Sequence, residues 1–438
     1  MAESKISVLT GMRLKKKAFL VAVLSLLAMV VFLMISSESQ MKYYVSHRIL
    51  AKVSPNISPS VITWTKSDTK VGYVYESKWT YEYTSSLCNG TSDPLMSEDL
   101  FCKKRPKFLP GYKNPCWKDV TKEGKETIKC MPYFHLLGAD KCGSTDLFDR
   151  ILQHPEMEPA GCGLFKECYY WCWTRYGVWM KNNFVPTRKT FDKYLLHFKQ
   201  ASHSIHLREV DGYHSHITGE GTPMDLWDFR GWPRIPQNDH LAEPLIMTPH
   251  LMRHMYPDPK LLVILRNPAD RLYSDYYFLG YGNSPEKFHK DAIRAVAMIE
   301  NCLKNRTRKQ CIFDMDMYVN LPMRIHISCY SVFLKEWMRV FPRESFLILR
   351  NEDYGHDIRN HMNMVFNFLN MSRLPDADMD VISNAKRKHV TQSKKNKGPM
   401  FESTRVLLNN FFEPYNKELA TLIQDDRFLW KDGPKKHS

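Results

Sequence analysis

Three short apolar runs, separated by helix-like stretches, constrain the fold of this chain more than any other feature. The runs lie at Tyr133–Gly138, Leu261–Leu265 and Phe346–Leu349. Continuous apolar runs of this length are typical of strands that are buried on both faces of a parallel sheet. Helical stretches lie between or after them, at 287–303, 331–340 and 358–369. This alternation predicts an α/β fold with a central parallel sheet over residues 131–438.

The turn after the first run, which we call the Lys141 loop (138–146), carries the residue types of an anion site. It reads G-A-D-K-C-G-S-T-D. Gly143 lets backbone N–H groups approach an oxyanion, and the start of a helix adds unsatisfied donors. Lys141 adds a positive charge, and Ser144 and Thr145 add hydroxyls. The alternative is an ordinary turn with hydroxyl capping. The spacing is not that of a Walker A loop, in which the Lys follows the second Gly.

A second turn, which we call the Arg266 segment (266–274), has the same context. It reads R-N-P-A-D-R-L-Y-S, so that Arg266 ends an apolar run and Ser274 lies in the next predicted helix. A folded turn would bring the guanidinium fork and the hydroxyl to one phosphate. An exposed Arg and an unrelated helical Ser are the alternative.

Together, the two turns resemble the 5′- and 3′-phosphate motifs of the sulfotransferases, which use 3′-phosphoadenosine 5′-phosphosulfate (PAPS). The motifs are K-x-G-[ST]-T and R-[DN]-P-x-x-R-x-x-S. The resemblance covers about residues 116–430 and is closest to the membrane-bound carbohydrate sulfotransferases, in particular the N-acetylgalactosamine 4-sulfate 6-O-sulfotransferase group. Other stretches that carry it are C-M-P-Y-F-H-L-L-G at 130–138, K-E-C-Y-Y-W-C-W-T-R-Y-G at 166–177 and F-P-R-E-S-F-L-I-L-R-N-E-D-Y at 341–354.

This resemblance implies a three-layer, P-loop-like sulfotransferase fold, PAPS as donor, PAP as product and no metal. The donor site that it implies consists of Lys141, Cys142, Gly143, Ser144, Thr145, Asp146, Arg266 and Ser274. A basic segment at 386–397 precedes the last helix. Its Lys397, with Gly398, matches the K-G of the family loop that closes over PAPS. That loop often continues with Arg, whereas Pro399 follows here.

The acceptor side rests on one carboxylate. Glu167 stands shortly after the first helix, where glycosaminoglycan sulfotransferases keep a Glu, and the resemblance therefore implies that it is the base. Lys141 is then expected to stabilise the leaving phosphate. A solvent-exposed Glu beside a Lys is the plain alternative. Other candidate bases are Glu220 and the histidine-rich patch of His203, His206, His214 and His216.

The resemblance implies transfer to C6 of N-acetylgalactosamine 4-sulfate in chondroitin or dermatan sulfate. Another glycosaminoglycan O-sulfotransferase with a different acceptor remains open. So does a non-catalytic luminal protein that binds sulfated glycans. A kinase that uses ATP would need a carboxylate that holds Mg²⁺ at a strand end, and the sequence offers no persuasive one.

The N-terminus predicts the compartment. Residues Ala18–Ile35 are apolar and uncharged, and they are just long enough to cross a hydrocarbon core of roughly 30 Å. Basic residues precede them, so residues 1–17 are expected in the cytosol, with a luminal stem at 36–130 and a luminal domain at 131–438. A cleaved signal peptide is the alternative. With the resemblance, this predicts a single-pass type II Golgi membrane protein.

The remaining features agree with a secretory location. Sequons at Asn56, Asn89, Asn305 and Asn370 predict N-glycosylation. Eleven cysteines permit disulfides and leave at least one thiol unpaired within the chain. The net charge of +15 favours an anionic partner, and the compartment argues for a sulfated polysaccharide rather than nucleic acid. A hydrophobic content of 43% excludes an intrinsically disordered chain.

Overall fold

The computed structural model describes residues 87–90, 96–121, 123–163, 165–178, 188–387 and 397–431. The predicted membrane span at 18–35, the cytosolic tail, Asn56 and most of the predicted stem lie outside these residues. No helix within the described ranges combines the length and the apolar character needed to cross a membrane.

The described strands form a two-stranded antiparallel hairpin and a four-stranded parallel sheet. The sheet has the spatial order β4-β3-β5-β6. The strands are β1 (Cys116–Val120), β2 (Glu126–Cys130), β3 (Phe134–Gly138), β4 (Gly219–Glu220), β5 (Lys260–Leu265) and β6 (Phe346–Arg350). All of β3 and nearly all of β5 are buried, as expected of central parallel strands. The α/β class with a central parallel sheet is therefore confirmed.

Helices connect the strands and follow the last of them. The α-helices of the described residues are Ser144–Ile151, Phe191–Leu195, Lys199–Leu207, Thr248–Met255, Pro268–Phe278, Pro285–Leu303, Arg308–Ile312, Met315–Asn320, Tyr330–Met338, Asn351–His356, Ile358–Phe368, Asp376–Asn384 and Glu402–Ile423. The helix predicted from residue 287 begins at Pro285 instead. The Ser284 side chain caps it by accepting from the N–H of Lys287, and proline suits the first helical position.

Three loops meet at the carboxyl edge of the sheet because its strands are parallel. Gly138 ends β3 opposite Val263, and Leu265 of β5 pairs with Arg350 of β6. The turns that follow β3, β5 and β6 consequently lie side by side. Ligand sites in open α/β sheets form at this edge.

Part of the predicted stem belongs to the packed domain. Leu100 and Phe101 are buried in the main core, and Arg105 donates to the carbonyl of His254 (2.7 Å). The disulfide Cys116–Cys130 joins β1 to β2. Residues well before Met131 are therefore packed against the sheet domain.

Eight of the eleven cysteines form four disulfides, which agrees with the prediction that at least one thiol stays unpaired. Besides Cys116–Cys130, disulfides join Cys88 to Cys102, Cys162 to Cys168 and Cys302 to Cys311. Buried free thiols remain at Cys142, Cys172 and Cys329. Three of the predicted glycosylation sites, Asn89, Asn305 and Asn370, are exposed.

Candidate active site

Glycine shapes the Lys141 loop at its junction with the helix Ser144–Ile151. Gly143 has a φ of 95° and is the N-cap of that helix. A Cβ atom at Gly143 would lie 2.5 Å from Asn351 Nδ2, which donates to the carbonyl of Cys142 (2.6 Å). A larger residue would therefore strain the backbone and displace Asn351. Both the fold and a ligand that approaches the backbone closely call for glycine here.

Two hydroxyls at the start of this helix are available to a ligand. Ser144 is buried and Thr145 is half-buried. Within the described residues, neither hydroxyl has a hydrogen-bond partner. The first N–H groups of a helix likewise lack intrahelical acceptors and carry partial positive charge. A phosphate group at this end of the helix would satisfy both sets of donors.

Lys141 supplies a cation beside these donors. Its Nζ lies 3.5 Å from the ring centroid of Phe278, the last residue of the helix Pro268–Phe278. Burial lowers the pKa of Lys141, although the carboxylates of Asp275 and Asp140 act in the opposite direction. A partly desolvated ammonium gains from an anionic ligand, which favours its charged form.

Two other predicted loop residues direct their side chains into the protein. Cys142 is fully buried 3.6 Å from the hydroxyl of Tyr330, and burial raises the pKa of its thiol to about 12. Asp146 pairs with Arg150 (3.1 Å) and accepts from the Tyr354 hydroxyl (2.7 Å). Cys142 and Asp146 can offer a donor molecule their backbone groups, while their side chains hold the loop in place.

The Arg266 segment lies against the Lys141 loop. The Tyr330 hydroxyl that contacts Cys142 also donates to the carbonyl of Arg266 (2.9 Å). Arg266 follows the end of β5 and is half-buried, and Ser274 is buried in the helix Pro268–Phe278. In the described part of the chain, the Arg266 side chain makes no ion pair. The structure therefore brings the two predicted phosphate motifs together, with one cation from each.

The K-G pair, Lys397 and Gly398, lies against the helix Pro268–Phe278, which carries Ser274. The Tyr273 hydroxyl donates to the carbonyl of Gly398 (2.9 Å), and Tyr273 is the neighbour of Ser274 in the chain. Lys397 is half-buried beside it. The positions 388–396, between the two ends of this segment, lie outside the described residues.

Glu167 is held by two donors of its own segment. Lys166 Nζ pairs with one carboxylate oxygen, and the Tyr169 hydroxyl donates to the other. Lys166 also donates to the carbonyl of Gly221 (3.1 Å), and burial lowers its pKa. The side chain of Glu167 remains 12% exposed. The carboxylate is thus oriented but not closed off from a ligand.

Asp140, a residue of the Lys141 loop, lies near the segment that holds Glu167. Asp140 interacts electrostatically with Lys141 and also with Lys166 and Tyr169, which are the two partners of Glu167. Arg324 Nη2 lies 3.6 Å from the carboxylate of Asp140. The predicted base therefore lies in the neighbourhood of the predicted donor loop.

Glu220, the rival base, is completely buried. It accepts from the Tyr194 and Thr222 hydroxyls, and burial raises its pKa to about 7. His135 and Asp225 lie close enough that the possible metal-ligating atoms of the three residues are within 4.8 Å of one another. Burial also raises the pKa of Asp225 and lowers that of His135 to about 3. Burial thus favours the neutral forms of these three groups.

Two residues of the histidine-rich patch, His206 and His214, lie with their ring centroids 5.6 Å apart. His206 Nδ1 lies 2.6 Å from the Tyr112 hydroxyl, and His216 Nδ1 lies 2.9 Å from Glu158. His214 contacts the carbonyl of Ile205, and His203 is exposed. No cluster of metal-ligating atoms in the described ranges includes any of the four.

Sequence reasoning missed several residues that build the site. Tyr330 joins the two motifs, Asn351 holds the Lys141 loop, and Tyr169 holds Glu167. Asn351 follows β6 directly, so the rule that polar residues at the carboxyl ends of parallel strands face a common ligand site could have found it. For Tyr330, no local signal exists.

Comparisons with known proteins bear on this site. The chain matches the sulfotransferase domain family over residues 77–413. It is 30% identical over 366 residues to carbohydrate sulfotransferase 15 of Homo sapiens, an alignment that covers 81% of this chain. The alignment spans 64% of that relative, slightly less than two thirds of its length. The predicted resemblance to the carbohydrate sulfotransferases is confirmed.

Two further matches are more distant. The chain is 23% identical over 353 residues to bifunctional heparan sulfate N-deacetylase/N-sulfotransferase 2 of Bos taurus, covering 74% of this chain and 33% of that protein. Among solved structures, a sulfotransferase from Alicyclobacillus acidocaldarius gives a TM-score of 0.42 at 21% identity. That match covers 68% of this chain and 97% of the other.

Proposed function

Because this chain belongs to the sulfotransferase family, we propose that it transfers a sulfuryl group from PAPS to a sugar hydroxyl of a glycosaminoglycan. The main support for the proposal is that the predicted parts of the site lie close together. The two phosphate motifs meet through Tyr330, and the segment that holds Glu167 lies near Asp140 of the Lys141 loop. This arrangement supports a donor site and a carboxylate base at one edge of the sheet.

The residues present fit the donor. Lys141, Ser144 and Thr145 supply a cation and two hydroxyls for the 5′-phosphosulfate. Arg266 and Ser274 supply a guanidinium and a hydroxyl for the 3′-phosphate. Arginine forks and helix N-termini are the groups that bind phosphate most strongly in proteins. We propose that Lys397 and Gly398 close over the bound donor, since Gly398 already contacts the neighbour of Ser274.

Sulfuryl transfer then needs a base and a charge-stabilising group. Glu167 accepts the proton of the acceptor hydroxyl as its oxygen forms a bond to sulfur. The bond between sulfur and the bridging oxygen of the donor phosphate breaks, and PAP leaves. Lys141 balances the charge that develops on that oxygen. Lys166 and Tyr169 keep the Glu167 carboxylate oriented during the step.

The acceptor that we propose is C6 of N-acetylgalactosamine 4-sulfate in chondroitin or dermatan sulfate. The resemblance of the motifs and the similarity to carbohydrate sulfotransferase 15 support it. The excess of positive charge suits a polyanionic acceptor. A different sugar or position in a glycosaminoglycan is the second candidate, and the similarity to a heparan sulfate enzyme supports it.

We propose that the enzyme is a single-pass type II protein of the Golgi membrane with its catalytic domain in the lumen. The apolar segment 18–35 and the basic residues before it support this orientation. The four disulfides are those of an oxidising compartment. The partners are the polysaccharide acceptor and the membrane.

The test uses the secreted fragment 36–438 with radiolabelled PAPS. Acceptors are chondroitin, dermatan, heparan and keratan sulfates, followed by disaccharide analysis. Label in a 4,6-disulfated N-acetylgalactosamine unit is the expected result. Label in another unit would keep the reaction and change the acceptor. No transfer to any acceptor, with PAP still bound, would favour a non-catalytic protein that binds sulfated glycans.

A further inference from the structure

A cleft of about 500 Å³ lies away from the candidate active site. Tyr133, one of its lining residues, immediately precedes β3, whereas the Lys141 loop follows β3. The cleft therefore lies near the amino end of this strand, and the active site lies at its carboxyl end. The cleft is an open depression of the surface.

The chemistry of the cleft suits an uncharged sugar. Three tyrosines, Tyr112, Tyr133 and Tyr213, line it. The ring of Tyr112 is stacked on His214, with the centroids 3.9 Å apart, and its hydroxyl contacts His206, so Tyr213 is the lining tyrosine that offers an exposed ring to a sugar. Tyr133 is nearly buried and lies at the bottom of the cleft, whereas Tyr213 is 45% exposed and lies at its edge. Its one cation, Lys113, pairs with its one acid, Glu156 (3.2 Å). The lining thus carries no net charge for a sulfated chain to bind.

A sequon forms part of the wall. Asn370, Met371 and Ser372 all line the cleft. Asn370 is exposed and lies in the left-handed region with a φ of 52°. Its carbonyl accepts from Lys113 (2.6 Å), and the N–H of Ser372 donates to Glu156 (3.1 Å). A sugar attached to the Asn370 side chain would therefore begin at the cleft itself.

Asn305 provides a contrast. It follows the helix Pro285–Leu303 in a turn, and the next two residues, Arg306 and Thr307, are exposed as well. A glycan on Asn305 would extend into solvent from an open surface, whereas one on Asn370 would meet tyrosines at once.

We propose that Asn370 carries an N-linked glycan whose first N-acetylglucosamine residues lie in this cleft and stabilise the fold. In the modification, the Asn370 amide nitrogen bonds to C1 of a lipid diphosphate-linked oligosaccharide. The C1–oxygen bond breaks, the lipid diphosphate leaves, and the amide loses a proton. The proposal needs only passage through the secretory pathway and does not depend on the sulfotransferase reaction.

The stabilisation follows from the segments that the sugar would join. Lys113 and Asn370 lie 257 positions apart in the chain and meet only in the folded state. Tyr213 comes from a third segment. A covalently attached sugar has a high effective concentration at the cleft and contacts these segments together only when they are folded.

The experiment uses the full chain made in animal cells. Glycopeptide mass spectrometry is expected to find Asn370 occupied. Peptide N-glycosidase should release this glycan from the native protein about tenfold more slowly than after unfolding, which corresponds to about 1.4 kcal/mol of protection. The Asn305 glycan, if present, should be released at similar rates in both states. An unmodified Asn370, or equally fast release from native and unfolded protein, would overturn the proposal.

Variants separate the cleft from the attachment site. Asn370→Asp removes the sequon with a residue that also tolerates the left-handed region, and it should lower the Tm, whereas Asn305→Asp should not. Ser372→Thr should keep both sequon and Tm. If Asn370→Asp is not secreted, Tyr213→Ala decides instead, because it changes only the exposed edge of the cleft. It should leave Asn370 occupied but make native release as fast as that from the unfolded chain. If the native Tyr213→Ala variant still released its Asn370 glycan more slowly than the unfolded chain, the proposal that the sugar lies in the cleft would be contradicted.

Discussion

Glu167 and Glu220 lie in segments that pack against each other, yet they differ in their access to a ligand. Lys166 donates to the carbonyl of Gly221, and the N–H of Tyr169 donates to the Thr222 hydroxyl (3.3 Å). Each carboxyl accepts from a tyrosine, Tyr169 in one case and Tyr194 in the other. The Glu167 side chain is 12% exposed, whereas Glu220 is fully buried.

The two carboxyls thus differ in depth and also in partners, because Glu167 pairs with the Lys166 ammonium whereas Glu220 accepts from two neutral hydroxyls. A general base must come within hydrogen-bond reach of the proton that it takes. Glu220 has no exposed surface, and burial raises its pKa to about 7, which favours the protonated acid. The Glu167 side chain keeps some exposed surface, and its partner Lys166 interacts electrostatically with Asp140 of the Lys141 loop. We therefore propose Glu167 as the catalytic base and a structural role for Glu220.

The largest effect is expected for Glu167→Gln. The amide keeps the shape but cannot take a proton, so kcat should fall by about 10²–10⁴. The affinity for PAP, measured by calorimetry, should stay the same because the donor site is intact. Near-normal kcat would break the comparison and would make Glu220 or a histidine the better candidate.

A change on the donor side should cost nearly as much. In Lys141→Ala, the charge that develops on the leaving phosphate loses its cation, and kcat should fall by about 10²–10³. Lys141→Arg is the matched control, and it should retain more activity because it keeps the charge. Steady-state kinetics with labelled PAPS measures both. Unchanged turnover in Lys141→Ala would remove the assignment of the Lys141 loop to the donor.

The two tyrosines sharpen the comparison at a smaller scale. Tyr169→Phe removes one donor from Glu167, and we expect kcat to fall by up to about tenfold, the equivalent of one hydrogen bond. Tyr194→Phe removes the corresponding donor from Glu220. It should leave kcat unchanged and lower the free energy of unfolding by about 1 kcal/mol. Kinetics and urea denaturation of both variants provide the test, and the opposite pattern would reverse the two roles.

Glu220→Gln should also leave kcat nearly unchanged, and its effect should appear in the pH dependence of the free energy of unfolding. The folded-state pKa of Glu220 is about 7 against an ordinary value of 4.5. The folded protein therefore holds a proton that the unfolded chain releases between these values, and stability falls as the pH rises through this window. The neutral amide lacks this loss. Relative to the variant, the native protein should lose about 3 kcal/mol between pH 4.5 and pH 7 in denaturation experiments. A constant difference between the two would contradict a buried, protonated Glu220.

The strands and the phosphate motifs could be predicted because their signals are local. Each apolar run became a strand of the sheet, and Gly143, Ser144 and Thr145 stand together in the chain before one helix. The backbone geometry at the start of this helix needs these residue types at these positions. A single stretch of sequence is therefore enough to predict the motif.

Other parts of the site depend on contacts between distant segments. Cys142 and Asp146 stand within the Lys141 loop, but Tyr330, Arg150 and Tyr354 direct their side chains inward. Local sequence does not reveal these partners. The same holds for the depth of Glu220, which results from pairing of the short strand β4 with β3.

Chemical rescue tests the assignment of Glu167 most directly. Glu167→Ala and Glu220→Ala are assayed for sulfuryl transfer from labelled PAPS with increasing formate, a small carboxylate that can enter the space left by the side chain. Our account predicts that formate restores turnover in proportion to its concentration in Glu167→Ala and has no effect in Glu220→Ala. Rescue of Glu220→Ala, with none in Glu167→Ala, would contradict it.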